Sequence, residues 1–196
     1  MELTIVIDSD GDSVEVKTIS IVEDYWHDYL YFKAQADLAL KEGSQLKNRR
    51  YLRAALLMFT AYLEGVVNNW CISLQKRSGA SKSTIDTFLR KSLPDKCDFL
   101  TKEASKKVSG VSNPQMREVK RLRNSLVHLV PGKDADLFEN VSEKILNNSE
   151  SVIIPWLDAV GKIIGEERHP NTQDIGRQLA AALGISLKEE YSGESD

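Results

Sequence analysis

One stretch of the sequence, residues 44–75, constrains the fold more than any other part of the chain. It contains no proline, and its large apolar side chains recur every three or four positions. This spacing is the pattern of a helix that buries one continuous face. The apolar positions are Leu52, Leu56, Phe59, Leu63, Val66 and Trp70. A helix this long and this apolar predicts a bundle in which other helices cover it.

Helices also dominate the prediction for the rest of the chain. Gly and Pro residues at the ends of periodic apolar segments mark where each helix stops. The predicted helices cover residues 24–42, 44–75, 81–93, 94 to before 110, 114–130, 135–147, 150–164 and 175–183. Pro155 is expected in the first turns of its helix, where a missing N–H is tolerated. The predicted fold class is mainly α, a bundle of roughly five to seven helices.

The N-terminus favours strands instead. Residues 2–8 and 13–22 are rich in β-branched side chains and flank the pair Asp10-Gly11, a pattern typical of a β-hairpin. We therefore expect a hairpin over residues 1–22 and a helical bundle over residues 23–165. Residues 166–196 are predicted to form a linker, a short helix and a disordered tail.

Composition limits the classes of function. The 196 residues carry a net charge of -3, so nucleic-acid binding would need a local basic patch rather than a global positive field. No apolar run approaches the length of a membrane span, and the acidic N-terminus does not look like a signal peptide. Cys71 and Cys97 have no Cys or His at metal-ligand spacing and are predicted to be reduced, partly buried thiols. We expect a soluble cytoplasmic protein that uses no metal and no cofactor and has no membrane partner.

Chemistry is concentrated in residues 116–130, MREVKRLRNSLVHLV. On an ideal helix Arg117, Arg121, Asn124 and His128 fall along one stripe, whereas Arg123 lies about 140° from His128. Metal-independent cleavage of RNA needs a group that moves protons near neutral pH, which histidine supplies. It also needs a donor that stabilises the charged phosphorane, which an arginine fork supplies. An adjacent amide can orient the imidazole or the phosphate.

This pattern resembles the signature of the HEPN ribonuclease family, an Arg, a polar residue and a downstream His on a bundle helix. Here it consists of Arg123, Asn124, three further residues and His128. The segment RRYLRAALLMFTAYLEGVVNNW at residues 49–70 is similar to the HEPN helix that packs beside the motif, and Glu64 matches its acidic position. The resemblance covers residues 44–165. Val130 departs from it, because some HEPN toxins carry a Tyr there as the acceptor for nucleotidyl modification.

The resemblance implies roles for individual residues and a mode of assembly. It implies a HEPN-like bundle in which Arg123 stabilises the phosphate, His128 is the general acid and base, and Asn124 and Glu64 support them. Arg117, Lys120 and Arg121 are predicted to bind the RNA, and the alternative for this basic run is the solvated face of an amphipathic helix. A homodimer would bring two motifs to one cleft. The biological setting it implies is a bacterial toxin–antitoxin or anti-phage system, with RNA as substrate and an antitoxin or defence protein as partner.

The residues also leave other interpretations open. The chain can instead be a non-catalytic HEPN-like adaptor that binds RNA or a partner protein, or a helical interaction protein whose Arg123 and His128 are solvated. Arg121 also fits the motif spacing to His128. A second basic cluster, at Lys47, Arg49, Arg50 and Arg53, is either an RNA-facing patch or a solvated helix start.

A polar stripe interrupts the long apolar helix. Thr60, Glu64 and Asn68 are spaced by four and therefore share one helix face. Polar groups on a core helix need hydrogen-bonding partners, and a cleft that contains Arg and His is expected to supply them.

Overall fold

The computed structural model describes residues 3–10, 13–104, 113–127 and 141–168. The chain divides into two compact units, of which one contains the N-terminal strands and the other spans Val22–Arg168. In the first unit, β1 (Leu3–Asp10) and β2 (Ser13–Ser20) pair in antiparallel fashion, with Leu3 opposite Ser20 and Asp10 opposite Ser13.

The described part of the chain is mainly α-helical, which confirms the predicted class. Six helices are described, and they account for most of the second unit. They are α1 (Ile21–Lys41), α2 (Gln45–Arg77), α3 (Lys82–Leu89), α4 (Leu93–Glu103), α5 (Asn113–Val127) and α6 (Glu143–Ile164). None of these described helices is both long enough and apolar enough to cross a membrane.

Helix α2 is the centre of the bundle and confirms the prediction for residues 44–75. All six of its periodic apolar side chains are at most 4% exposed. Ser44 is the N-cap residue, although its side chain makes no capping hydrogen bond. Helix α2 contacts α3, α4 and α5 directly. The core is therefore organised around the apolar stripe that the sequence shows.

Helix α1 packs on α2 through aromatic side chains. Trp26 contacts Tyr62 with ring centroids 4.9 Å apart, and Tyr29 contacts Phe59 at the same distance. Aromatic pairs at this separation contribute beyond the area they bury. Gly65 provides one close approach, since a Cβ atom there would lie 2.7 Å from Cγ2 of Val22.

The predicted helix 81–93 is too long, because α3 ends at Leu89 and a new helix starts at Leu93. The reason is the capping chemistry of Ser92. Its hydroxyl accepts a hydrogen bond from the Asp95 backbone N–H and donates one to the Asp95 carboxylate. This reciprocal arrangement stabilises a helix start, and Pro94 near the first position favours it further. Helix α4 therefore begins just before the proline that was expected to begin it.

The prediction of separate helices over 135–147 and 150–164 is wrong, because α6 runs without a break from Glu143 to Ile164. Residues 135–140 lie outside the described part of the chain. The residues at the predicted break, Asn147 to Ser149, are helical, and Ser149 is buried. Pro155 consequently lies inside the helix rather than in its first turns. Burial of a continuous stripe from Leu146 to Ile164 outweighs the weak local preference of these residues.

The C-terminal end of α6 is fixed by contacts to α2. Gly165 ends the helix with φ +72°, and Arg77 donates a hydrogen bond to the Ile164 carbonyl at 2.9 Å. Arg168 donates to the Tyr62 hydroxyl at 2.9 Å and pairs with Asp158 at 2.5 Å. The predicted helix 175–183 and the tail lie outside the described residues.

Candidate functional site

Helix α5 presents one apolar face to the bundle and one polar face away from it. Met116, Val119 and Leu122 are buried, and the helix contacts α2, α4 and α6. Ser125 is also buried, and its hydroxyl donates to the Leu122 carbonyl at 2.7 Å. Because the buried side chains occupy one face, the basic residues of α5 are left on the opposite side.

Part of this polar face lines a cleft of about 420 Å³ between α5 and the start of α4. The lining residues are Ser92, Pro94, Asp95, Arg117, Lys120, Arg121 and Asn124. The structure thus brings together all three residues predicted to bind RNA and one predicted catalytic residue. Three cations face one carboxylate, so the cleft is positively charged within a chain whose net charge is negative.

The single acid in the cleft, Asp95, is also the residue that caps α4. The hydrogen bond from the Ser92 hydroxyl is the main cause that holds the pKa of Asp95 below its usual range, and the positive charge of Lys120 adds to it. Asp95 is therefore ionised at neutral pH, and it offsets part of the positive charge on the opposite wall.

Arg121 is already paired within its own helix. Its Nε and one Nη donate to the two carboxylate oxygens of Glu118 at 2.9 and 2.7 Å. This hydrogen bonding lowers the pKa of Glu118 and raises the pKa of Arg121. Both side chains are 41–50% exposed, so a phosphate in the cleft competes with a weak surface pair.

Arg123 is bound to Asn124 rather than to the cleft wall. Its Nη1 donates to Asn124 Oδ1 at 3.1 Å, and its side chain is partly buried. Asn124 lines the cleft, whereas Arg123 is absent from the lining residues. The two central motif residues are therefore in contact, and the amide connects the arginine to the cleft.

His128, the residue predicted to move protons, lies outside the described residues. The described part of α5 ends one position earlier, at Val127, which is half exposed. The relation of His128 to Arg123 and to Glu64 thus stays a prediction.

The polar stripe of α2 finds its partners partly in its own helix and partly in α4. The buried Thr60 hydroxyl donates to the Leu56 carbonyl at 2.8 Å. Asn68 Oδ1 accepts a hydrogen bond from Lys96 Nζ at 2.7 Å. Glu64 lies between them on the same face and is partly buried, and its charge acts on Lys96. Among the described residues, the stripe is thus connected to a lysine of α4 that the sequence analysis did not select.

Lys96 is 6% exposed and is the one charged residue classed as buried in the described part of the chain. Burial is the main cause that lowers its pKa, and the like charge of Lys120 lowers it further. The negative charge of Glu64 opposes this effect. A signal for this position was available, because Lys96 falls on the α4 face that also carries Leu93 and Leu100.

The two cysteines lie close to this lysine, and both are free and buried. Burial raises the pKa of Cys71 to about 12 and also raises that of Cys97. A thiol that stays protonated at neutral pH is a poor nucleophile and a poor metal ligand. Within the described ranges no group of three His, Cys, Asp or Glu side chains is arranged to hold a metal ion.

The second basic cluster occupies the first turns of α2. Lys47, Arg49 and Arg50 are exposed, and Arg53 is partly buried. Burial is the main cause that lowers the pKa of Arg53, and the charges of Arg50 and Arg49 add to it. These basic residues do lie together at the start of α2, but none of them lines the α4–α5 cleft.

No protein-family model, no curated protein and no solved structure matches this chain. The function must therefore be inferred from the residues and their arrangement. Arg117 and Lys120 allow the cleft to bind an anionic backbone. Asn124, which also lines the cleft, accepts a hydrogen bond from Arg123.

Proposed function

We propose that this chain is a metal-independent endoribonuclease of HEPN type, acting in the cytoplasm in a bacterial toxin–antitoxin or anti-phage system. In this proposal the bundle is HEPN-like and carries the N-terminal hairpin as an appendage. The observation that supports it best is the basic cleft along α5, which three cations and Asn124 line and where Asn124 also accepts a hydrogen bond from Arg123. Such a cleft favours a nucleic-acid backbone, because phosphates bind arginine and lysine whatever the base sequence. RNA is proposed as the substrate because the chemistry assigned to the motif uses the 2′-hydroxyl.

The cations of the cleft are proposed to hold the RNA backbone. Arg117 and Lys120 form no ion pair with another described residue, so they can bind a phosphate without first losing a partner. Arg121 contributes after exchanging Glu118 for the phosphate. Asp95 on the opposite wall repels phosphates, so the backbone is expected to follow the α5 side of the cleft.

The catalytic step assigned to the motif is transesterification by the RNA itself. A histidine takes the proton of the 2′-hydroxyl, the 2′-oxygen bonds to phosphorus, and the bond from phosphorus to the 5′-oxygen breaks. The leaving 5′-oxygen takes a proton from an imidazolium. The products are a 2′,3′-cyclic phosphate and a 5′-hydroxyl. In this scheme His128 transfers the protons, Arg123 stabilises the phosphorane, and Asn124 and Glu64 orient these groups.

The test of this proposal is cleavage of single-stranded RNA in EDTA, followed by analysis of the product ends. His128→Ala and Arg123→Ala are each expected to slow single-turnover cleavage by about 10²- to 10⁴-fold, the range for lost acid–base or electrostatic catalysis. Arg123→Lys should be nearly as slow as Arg123→Ala, because lysine cannot present a planar fork. Cleavage should be unaffected by His27→Ala, an exposed histidine on α1.

Arg121→Ala is the matched control for the arginine assignment. It should weaken RNA binding and reduce the slope of log affinity against log salt by about 0.7, as the loss of one phosphate contact does on a single strand. It should leave the rate of the chemical step at saturating RNA unchanged. A magnesium requirement, or cleavage that survives both His128→Ala and Arg123→Ala, would contradict the proposal.

The second candidate is a non-catalytic HEPN-like adaptor. The pairing of Arg121 with Glu118 and the presence of Asp95 in the cleft favour it, because a cleft with both signs of charge also suits a protein partner. The same assay separates the two candidates. An adaptor would bind RNA or a protein with Arg117, Lys120 and Arg121 and would release no cyclic-phosphate product.

A further inference from the structure

Lys96 carries a buried charge that no carboxylate neutralises by an ion pair among the described residues. Its one hydrogen bond to a described residue is to a neutral amide, Asn68 Oδ1 at 2.7 Å. A buried ammonium usually needs an opposite charge in direct contact, because it has lost its hydration. A position that tolerates this cost in a small domain suggests a role other than stability.

Lys96 lies on α4 and interacts with residues of two neighbouring helices, α2 and α5. Its neighbour in sequence, Asp95, lines the cleft from the α4 side. Asn68 and Glu64 approach it from α2, and Lys120, which lines the cleft from α5, acts on its charge. The ammonium is thus bonded to the polar stripe of α2 and also interacts with the charge of one cation on the basic wall of the cleft.

We propose that Lys96 is a positioning residue of the RNA site, where its buried ammonium, anchored on Asn68, holds the Glu64 face of α2 against the basic wall of the cleft. This rests on the proposed function and assigns to that site a residue that does not touch RNA. A phosphate bound near Lys120 also supplies the negative charge that Lys96 lacks. Binding of RNA and protonation of Lys96 should then favour each other.

The competing explanation is that Lys96 merely satisfies Asn68. The two explanations predict opposite patterns of stability and activity. Replacing a buried charge by an apolar side chain of similar length is often neutral or stabilising. If Lys96 only supports the fold, its removal should lower stability and leave the rate of cleavage unchanged. If it positions the site, the rate should fall while stability is kept.

The experiment compares Lys96→Met with Lys102→Met, an exposed lysine on the same helix. Thermal unfolding and single-turnover RNA cleavage are measured between pH 6 and 10. For Lys96→Met we expect an unchanged or higher melting temperature and cleavage slowed about 10- to 100-fold, as when groups that orient metal ligands are removed. Lys102→Met should match the wild type in both measurements.

The pH dependence of RNA affinity is a further test, because it should not change if the role of Lys96 is purely structural. Within the described part of the chain, the charged and titratable groups that act on Lys96 are Glu64 and Cys71 from α2, Cys97 from α4 and Lys120 from α5. Burial raises the pKa of both thiols, so they stay neutral over most of this range. The wild type should therefore lose RNA affinity as the pH rises and Lys96 loses its proton. This loss should be smaller in Lys96→Met.

Should Lys96→Met not fold, Lys96→Gln replaces it, because glutamine keeps an N–H donor for Asn68 without the charge. Wild-type cleavage with equal rates in wild type and the folded Lys96 variant would overturn the positioning role and leave the proposed function intact. A wild type that neither cleaves nor binds RNA would overturn the proposed function, and the role of Lys96 in it as well. RNA cleavage by the wild type thus shows whether the role of Lys96 or the proposed function itself has failed.

Discussion

Two ionisable side chains show how strongly the surroundings of a single residue decide its behaviour. Lys96 is buried with a neutral amide as its hydrogen-bond partner. Glu150 on α6, by contrast, accepts a hydrogen bond from the Tyr29 hydroxyl at 2.6 Å and from Lys33 Nζ at 2.5 Å. The ammonium of Lys96 has no ion-pair partner among the described residues, whereas the carboxylate of Glu150 joins α6 to α1.

The pKa of Glu150 reflects this balance and leads to a prediction about acid stability. Burial alone would raise the pKa, but the hydrogen bonds from Lys33 and Tyr29 outweigh it, so the pKa lies below its usual value. A carboxyl whose pKa is lower in the folded than in the unfolded state stabilises the fold above its unfolded pKa. That contribution is lost as the pH falls through the folded pKa.

Glu150→Gln should therefore be less stable than the wild type at pH 7, by about 1 to 2 kcal/mol for weakened hydrogen bonds to a charged group. The difference should shrink as the pH falls from about 5 toward 2, because the wild-type carboxyl becomes protonated. Urea unfolding across this pH range measures both effects. Asp86→Asn, at an exposed carboxyl on α3, is the control. A difference that stays constant with pH would show that the carboxylate charge is not the cause.

The sequence identified the basic face of α5 but not the buried lysine behind it. Arg117, Arg121 and Asn124 were predictable because helical spacing places them on one face. Lys96 was not, because lysine is a surface residue in most helices, and single-sequence patterns do not show which lysine a fold encloses. Its place between Leu93 and Leu100 was the available signal.

At the scale of helices, the predicted bounds agree best with the observed ones where the apolar stripe is unbroken. Helix α2 has an unbroken stripe, and its predicted bounds differ from the observed ones by at most two residues. Helix α6 also has a strong apolar stripe, but the polar residues Asn147, Asn148 and Ser149 interrupt the pattern in the sequence. These residues favour turns in isolation, and only packing in the folded bundle makes them helical. Local preference therefore predicts helix ends poorly wherever tertiary burial opposes it.

At Gly161, helix α6 lies very close to Trp70 of α2 and to the backbone that follows the helix. A Cβ atom at this position would lie 2.6 Å from the Glu166 carbonyl oxygen and 3.0 Å from Trp70 of α2. The carbonyl belongs to the backbone that follows the helix, and the Glu166 N–H donates to the Gly161 carbonyl at 2.9 Å. Neither neighbour can withdraw without disturbing this turn.

Gly161→Ala should consequently destabilise the fold by about 1 to 3 kcal/mol, the usual cost of overpacking, although alanine favours helices. Chemical denaturation at neutral pH measures the change. Lys162→Ala, at the next and exposed position, should change stability by less than about 0.5 kcal/mol. A stabilised Gly161→Ala variant would mean that helix propensity dominates and that the turn after α6 adjusts easily.

At the scale of the whole molecule, the proposed chemistry raises the question of how many chains form one active site. The net charge of -3 means that the basic cleft is a local exception in an acidic chain. Transesterification needs one group to accept a proton and one to donate it, and the motif provides a single histidine per chain. A two-fold dimer would supply two copies of the motif to one cleft. The proposed enzyme is therefore expected to act as a homodimer.

Light scattering at micromolar concentration should give a mass about twice the 22.0 kDa of one chain. Mixing provides the sharper test. If both copies of His128 serve one site, a dimer with one His128→Ala chain is inactive. In an equal mixture after random exchange, about one quarter of the dimers are fully wild type. Cleavage per total protein should then fall to about a quarter of the wild-type value. Mixing with folded His27→Ala chains should cause no loss. A fall to about one half would indicate independent sites, and a strict monomer would contradict the shared cleft.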